Sequence, residues 1–425
     1  MLSKIIQIFK IRDLRKSILF VLGMLVLFRL AAHVPLPGVD VEALRDLFSS
    51  NQILGLLNIM SGGAMRSFSL VAMGIGPYIT ASIIMQLLTM IVPALEELSK
   101  EGESGHQKIN QYTRLLAVPL AVIQSYSMII LLQRSGRGII GVLGPYQMLL
   151  MIATLAAGTM FLMWIGELIT EKKIGNGISL IIFAGIVSQI PTSIQQLVVT
   201  FDRSQLINML FFAGLAVITI AGVVYITEAQ RNIPVSYAKR VRGNKMYGGT
   251  NTYLPLRVNQ AGMIPIIFAI SIILLPSMIA QFFQRANSVW MVKAAGFVIE
   301  LFQNQLFYGI SYFVLVVAFT YFYTSVIFHP HQIAENLQRQ GGFVPGIRPG
   351  NPTASYLGKV SQRIMLAGAM SLGLIAVLPL ISKVFFTGIG SLVIGGASIL
   401  IVVSVVLETV KQIEAQLEMR EYEGI

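Results

Sequence analysis

Residues 67–93 contain no charged side chain. A run of that length crosses a bilayer whose hydrocarbon core is about 30 Å thick. Hydrocarbon offers backbone N–H and C=O groups no partners, so the run must be helical where it meets lipid. Its beginning is nevertheless interrupted. Gly62 and Gly63 precede it, and Gly74, Gly76 and Pro77 loosen its first turns, because Gly lacks a Cβ and Pro lacks an N–H. Ile75 and Ile79, four residues apart, share one helix face beside that weak point. A hinge followed by a kinked helix with a β-branched stripe reads as a moving part.

A second stretch, 259–280, matches the first. It is uncharged, and Gly262 and Pro265 stand three apart near its start, as Gly74 and Pro77 do. Paired interruptions at corresponding places in two halves point to inverted repeats around a central pathway. Coincidence is the alternative, since Gly and Pro are common in membrane helices.

The rest of the chain fits a polytopic membrane protein. Mean hydropathy is +0.74, 55% of residues are hydrophobic and 12% are charged. Ten apolar spans are predicted, at about 17–34, 72–92, 115–132, 146–165, 178–199, 206–227, 259–280, 306–328, 364–381 and 391–407. The basic segment 1–16 ahead of span 1 raises a signal peptide, but the apolar run is long and no small-residue cleavage site follows it. Arg29 is the one charge inside a predicted span. It either snorkels to the outer interface, the reading favoured here, or lines the interior. The apolar piece 52–60 is too short to cross and reads as a re-entrant or interfacial helix. Segments 94–111, 228–258 and 329–360 read as polar loops, and Val410, Ile413 and Leu417 in the tail keep helical spacing.

Most of the 31 Lys and Arg fall on one side of this arrangement, including Lys4, Lys10, Arg12, Lys100, Lys108, Lys172, Lys173, Lys239, Arg240, Arg242, Arg339 and Arg348. The positive-inside rule makes that side cytoplasmic and puts both termini there, as an even number of spans requires. The net charge of +12 is then largely topology signal.

Several chemistries are excluded or disfavoured. There is no cysteine, so no disulfide or thiolate metal site. Gly102-Glu103-Ser104-Gly105 matches a short intramembrane-protease pattern, but Ser104 sits among Lys100, Glu101, His106 and Lys108 in a wet segment. His329-Pro330-His331 lacks a third ligand nearby, so no metal is expected. No P-loop binds ATP. No cofactor and no enzymatic activity are expected. A small-solute secondary transporter shares the repeat logic, but the spans lack paired ionisable residues for ion coupling. The loop 228–258 mixes basic residues with Tyr and Gly, which suits phosphates or an acidic protein as well as surplus topology charge. In 329–360, Pro345, Gly346, Pro349 and Gly350 bracket Arg348, holding one guanidinium on a stiff tip.

Longer motifs then make the chain recognisable. LNIMSGGAM with GIGPYITASIIMQLLT, KEGESGHQKINQYTR, GTMFLMWIGELITEKKIGNGISLIIFAGIV, YAKR, TYLPLRVNQAGMIPIIFA and GGFVPGIRPG occur in that order. On these the chain resembles the SecY family, the central subunit of the protein-conducting channel, in its bacterial form. The resemblance implies an all-α polytopic membrane protein of ten transmembrane helices in two five-helix halves, an inverted pseudo-repeat around an hourglass pore with a plug helix. The implied division is 1–16 cytoplasmic, 17–200 the first half, 201–407 the second and 408–425 a cytoplasmic tail. The plug matches about 53–67, with Asn58, Gly62 and Gly63 as plug and hinge. The pore ring falls on Ile75, Ile79, Ile178, Ile182, Ile267 and Ile401. The lateral gate matches spans 2 and 3 against 7 and 8, with Gly74, Gly76, Pro77, Gly262 and Pro265 as its kinks. Docking of the SecA ATPase or the ribosome falls on Arg348, Lys239, Arg240, Arg242 and Lys245. Many members carry two basic residues where this chain reads Asn244-Lys245, so one basic group is missing. SecE, SecG, signal sequences, nascent polypeptides and membrane lipids are the remaining implied partners, in the inner (cytoplasmic) membrane.

Overall fold

The computed structural model describes residues 11–50, 58, 61–134, 138–141, 143–199, 206–237, 240–242, 245–247, 251–283, 288–385 and 396–423. Among the described residues each of the ten predicted spans falls largely on helix. They are α1 (Arg12–Ala32), α3 (Gly76–Ile91), α5 (Glu103–Arg134), α6 (Pro145–Glu171), α7 (Gly177–Val187) with α8 (Ile190–Val199), α9 (Leu206–Glu228), α10 (Ile264–Phe283), α12 (Gln305–Ile327), α14 (Asn351–Phe385) and α15 (Gly396–Glu423). Further helices are α2 (Val41–Ser50), α4 (Pro93–Lys100), α11 (Val289–Gln303) and α13 (Pro330–Arg339). Among the described residues five helices qualify as membrane-crossing by length and composition alone, and α3 with α4, bent by 100°, makes a sixth if taken together. The outward faces are apolar, as lipid requires. Leu19, Leu22, Val26 and Leu30 are exposed on α1, and Ile207, Leu210, Val217 and Ile218 on α9.

The start of span 2 is not the kinked helix expected. Residues 61–75 run in consecutive turns and α3 begins only at Gly76. Gly74 adopts φ +57°, a left-handed conformation open to Gly. Pro77 sits in the first turn of α3, where its missing N–H costs nothing. The second half repeats this arrangement. Gly262 has φ +64°, α10 begins two residues later at Ile264, and Pro265 follows. Both Gly–Pro pairs therefore start helices and do not kink them. Prolines inside helices stand elsewhere, among them Pro119 in α5 and Pro276 in α10. Of the predicted plug, residues 53–57 and 59–60 lie outside the described residues, and the part from Ser61 onward is turn, not helix.

The polar segments carry more order than loops would. Residues 94–111 form α4 and the first turns of α5, and α14 starts well before its apolar portion. Small sheets also appear, which an all-helical reading did not anticipate. β1 (Gln230–Tyr237) pairs antiparallel with β4 (Asn251–Arg257), and with the short β5 (Gly342–Phe343) through Ser236 opposite Phe343. β2 (Arg240–Arg242) and β3 (Lys245–Tyr247) form a separate ribbon. Ile233 and Leu256 from the sheet, Val344, and Leu357 and Val360 of α14 make a small core of their own. The two long loops thus fold together as one platform.

Candidate functional site

The site is built where the halves of the chain meet. α10 of the second half packs on α3 and α5 of the first, and α15 packs on α7. These contacts are sparse beside the α3–α5 and α12–α14 packing within each half. At the junction lies one continuous apolar cluster drawing on both halves. All six isoleucines of the expected ring belong to it. Ile75, Ile79, Ile182, Ile267 and Ile401 are buried, and Ile178 packs against them half-buried. Ile178 and Ile182 stand on α7, whose start is fixed by Asn176. That residue's Oδ1 accepts hydrogen bonds from the N–H groups of Ile178 (3.1 Å) and Ser179 (3.2 Å).

Residues 61–75 pack against this cluster through Ala64 and Val71. Asn58 is buried. Its Oδ1 accepts from the Arg66 N–H at 3.0 Å, and its carbonyl accepts from the Gly63 N–H (2.8 Å) and the Ser61 hydroxyl (3.0 Å). Gly62 lies against Phe28 of α1 and Gly185 of α7. A Cβ there would stand 2.7 Å from Phe28 Cζ and 3.1 Å from Gly185 Cα. In the reverse sense, a Cβ on Gly185 would fall inside the van der Waals envelope of Gly62 Cα. The favoured snorkelling of Arg29 is corrected by the structure. The guanidinium turns inward and Nη1 donates to the Gly62 carbonyl at 2.9 Å. Gly185 went unnoticed in the sequence. Its only signal is a Gly in the middle of an otherwise bulky apolar helix, about 1 kcal/mol worse than Ala there, which asks for a packing reason.

Gly74, Gly76 and Pro77 lead into α3, and Gly262 and Pro265 into α10, so the interrupted starts belong to helices that face each other. Buried or half-buried polar groups occur on α3 and α5. Gln124 Nε2 lies 3.5 Å from Thr80 Oγ1, and Gln86 Oε1 and Ser125 Oγ have no partner among the described residues. Two ion pairs join helices, Arg114 within α5 to Glu167 near the end of α6, and Lys411 within α15 to Glu228 at the end of α9.

Arg348 is exposed on the platform formed by the two long loops. Its backbone carbonyl accepts from Thr353 Oγ1 at 2.8 Å, and Gly346 (φ +82°) and Gly350 (φ +93°) turn the chain on either side. No acidic group among the described residues pairs with its side chain. Arg240, Arg242 and Lys245 lie on β2 and β3, with Arg242 opposite Lys245 in register. Lys239 is outside the described residues. Ser104 is exposed in the first turn of α5, and Gly105 explains the motif around it, since a Cβ there would collide with the Leu98 carbonyl. Among the described residues no cluster of His, Asp and Glu could hold a metal.

A two-halved helical membrane protein, with an apolar cluster between the halves and a turn segment packed against it, has the fold of a protein-conducting channel. Solved structures agree. One described as the structure of a protein-conducting channel matches with a TM-score of 0.65 at 17% identity, covering 93% of this chain and 91% of that one. Sec61 in the canine ribosome–channel complex from the endoplasmic reticulum matches with a TM-score of 0.61 over the same shares, also at 17% identity. The SecY family model matches residues 69–410. The protein translocase subunit SecY of Mycobacterium tuberculosis is 44% identical over 442 residues, 100% of this chain and 99% of that protein. That of Corynebacterium glutamicum is 45% identical over 444 residues and all of both chains. The chain belongs to the SecY family.

Proposed function

We infer that this chain is the channel-forming subunit of a protein translocase. It passes unfolded secretory polypeptides across the cytoplasmic membrane and releases membrane-protein segments sideways into lipid. One observation carries this reading. Six isoleucines from four separate helices and one helix start meet in a single apolar cluster at a sparsely packed junction. Stiff branched side chains around a narrow path exclude water when the path is empty and yield to a passing chain. The ring of Ile75, Ile79, Ile178, Ile182, Ile267 and Ile401 is therefore the seal. Residues 53–67, with Asn58, Gly62 and Gly63, are the plug that holds the resting state.

The seam of α3 and α5 against α10 and α12 is the lateral gate, and the turns at Gly74 and Gly262 let its helices swing from their starts. The platform docks a motor or ribosome through Arg348 and the strands β2 and β3, whose basic composition suits an anionic partner. SecE, SecG and the SecA ATPase are the expected partners, and both termini are cytoplasmic. The chain itself performs no bond chemistry. The test is co-reconstitution into vesicles with SecE and SecA from the same organism. ATP-dependent import of a preprotein into a protease-protected state is expected. A folded, partner-bound channel that imports none would overturn the reading.

A further inference from the structure

The geometry points to Arg29 as a latch on the plug, a positioning residue that holds the resting channel shut through the carbonyl of Gly62. The inference rests on the plug reading above. Arg29 stands in the last turn of α1, where a cation also suits the negative end of the helix dipole. A residue there only for that purpose, or to snorkel, would extend outward. Instead Nη1 donates at 2.9 Å to a carbonyl 33 residues away. The same end of α1 grips the segment twice more. Phe28, 0% exposed, lies against the Gly62 position, and the Ser67 hydroxyl donates to the Ala32 carbonyl at 3.0 Å. Gly185 of α7 closes the other side.

The chemistry suits a latch better than a weld. No carboxylate among the described residues pairs with Arg29. A charged group donating to a neutral carbonyl in a half-buried place is held well above the strength of an ordinary neutral bond. It is easier to exchange for water than a buried ion pair, whose separation strands two charges. When the plug leaves, water enters and takes over from the Gly62 carbonyl. The bond therefore biases the closed state without locking it.

The experiment uses the reconstituted complex and compares resting ion conductance in planar bilayers for the parent, Arg29→Gln and Arg29→Lys. Each is measured with the plug intact and with residues 56–64 deleted. Arg29→Gln is expected to raise the resting open fraction on the order of tenfold in the intact channel. Arg29→Lys should raise it less, because it keeps a donor and the charge but not the planar fork. In the deletion background neither substitution should add anything, since the carbonyl is gone. Unchanged conductance for Arg29→Gln, alongside a leaky deletion, would overturn the latch and spare the plug. An equal increase from Arg29→Gln in both backgrounds would overturn it too, by showing that Arg29 acts elsewhere. A deletion that leaves conductance at the parent level would overturn the plug reading itself. Should Arg29→Gln fail to accumulate, Arg29→Lys carries the same comparison, and its identity with the parent would count against the latch.

Discussion

The seal can be separated from ordinary packing by a matched pair of double substitutions. Ile79 and Ile182 are 4% and 2% exposed, and Ile165 and Ile169 on α6 are both 0% exposed in the same cluster. Ile→Ala removes three carbons at each position. At about 0.8 kcal/mol per buried CH2, the transfer contribution alone is about 2.4 kcal/mol per site. A residual cavity carries the cost into the range of about 2–5 kcal/mol. The two doubles should therefore lower stability and abundance to similar degrees. They should differ in resting conductance. Ile79→Ala with Ile182→Ala widens and rewets the constriction, so ions leak through the unoccupied channel. Ile165→Ala with Ile169→Ala leaves a void within the first half and no continuous water path. Planar-bilayer recordings at matched channel density are the assay. Equal leakage from both doubles, or none from the first, would refute the assignment of the ring.

Three further outcomes are expected. Deleting residues 56–64 should preserve preprotein import while admitting defective signal sequences, because the closed state loses part of its stabilisation; loss of all import would make the segment a strut. Arg348→Lys and Arg348→Glu should both impair motor-driven import at matched channel levels, Glu more severely, while removing Lys172 and Lys173 does less; import by Arg348→Lys equal to the parent would leave only bulk charge. Gly105→Ala should reduce the folded channel, since its Cβ meets the Leu98 carbonyl, whereas Ser104→Ala should leave abundance and import unchanged; loss of import with Ser104→Ala at normal abundance would reopen a chemical role for that serine.

What could be read from the sequence follows what water and lipid impose locally. Among the described residues every apolar span lies largely on helix, because hydrocarbon permits little else. The correspondence of Gly74–Pro77 with Gly262–Pro265 was visible, but its meaning was not. Whether a Gly–Pro pair bends a helix or begins one depends on the conformation at Gly, and the structure makes both left-handed. The sheet was hidden by Pro234 and Pro255, which argue against strands. Pro234 is tolerated because β5 pairs only with Ser236 and Tyr237, leaving β1 without a second neighbour at that point. Arg29 and Gly185 were not legible as partners of residue 62, because nothing in a linear pattern reports an approach between segments so far apart.

The shared sheet has a mechanical consequence. β1 and β5 come from different loops, yet their ladder joins them, and β4 on the other side of β1 ends at Arg257, just ahead of α10 at Ile264. Hydrogen-bonded strands resist sliding past one another far more than a flexible loop resists bending. On the docking reading proposed above, a load applied at the Arg348 tip would reach β4 through this ladder and arrive near the start of α10. The left-handed turn at Gly262 lies between the two and would be the pivot. If that reading holds, a force on the platform and a displacement at the seam between the halves are two ends of one short crank.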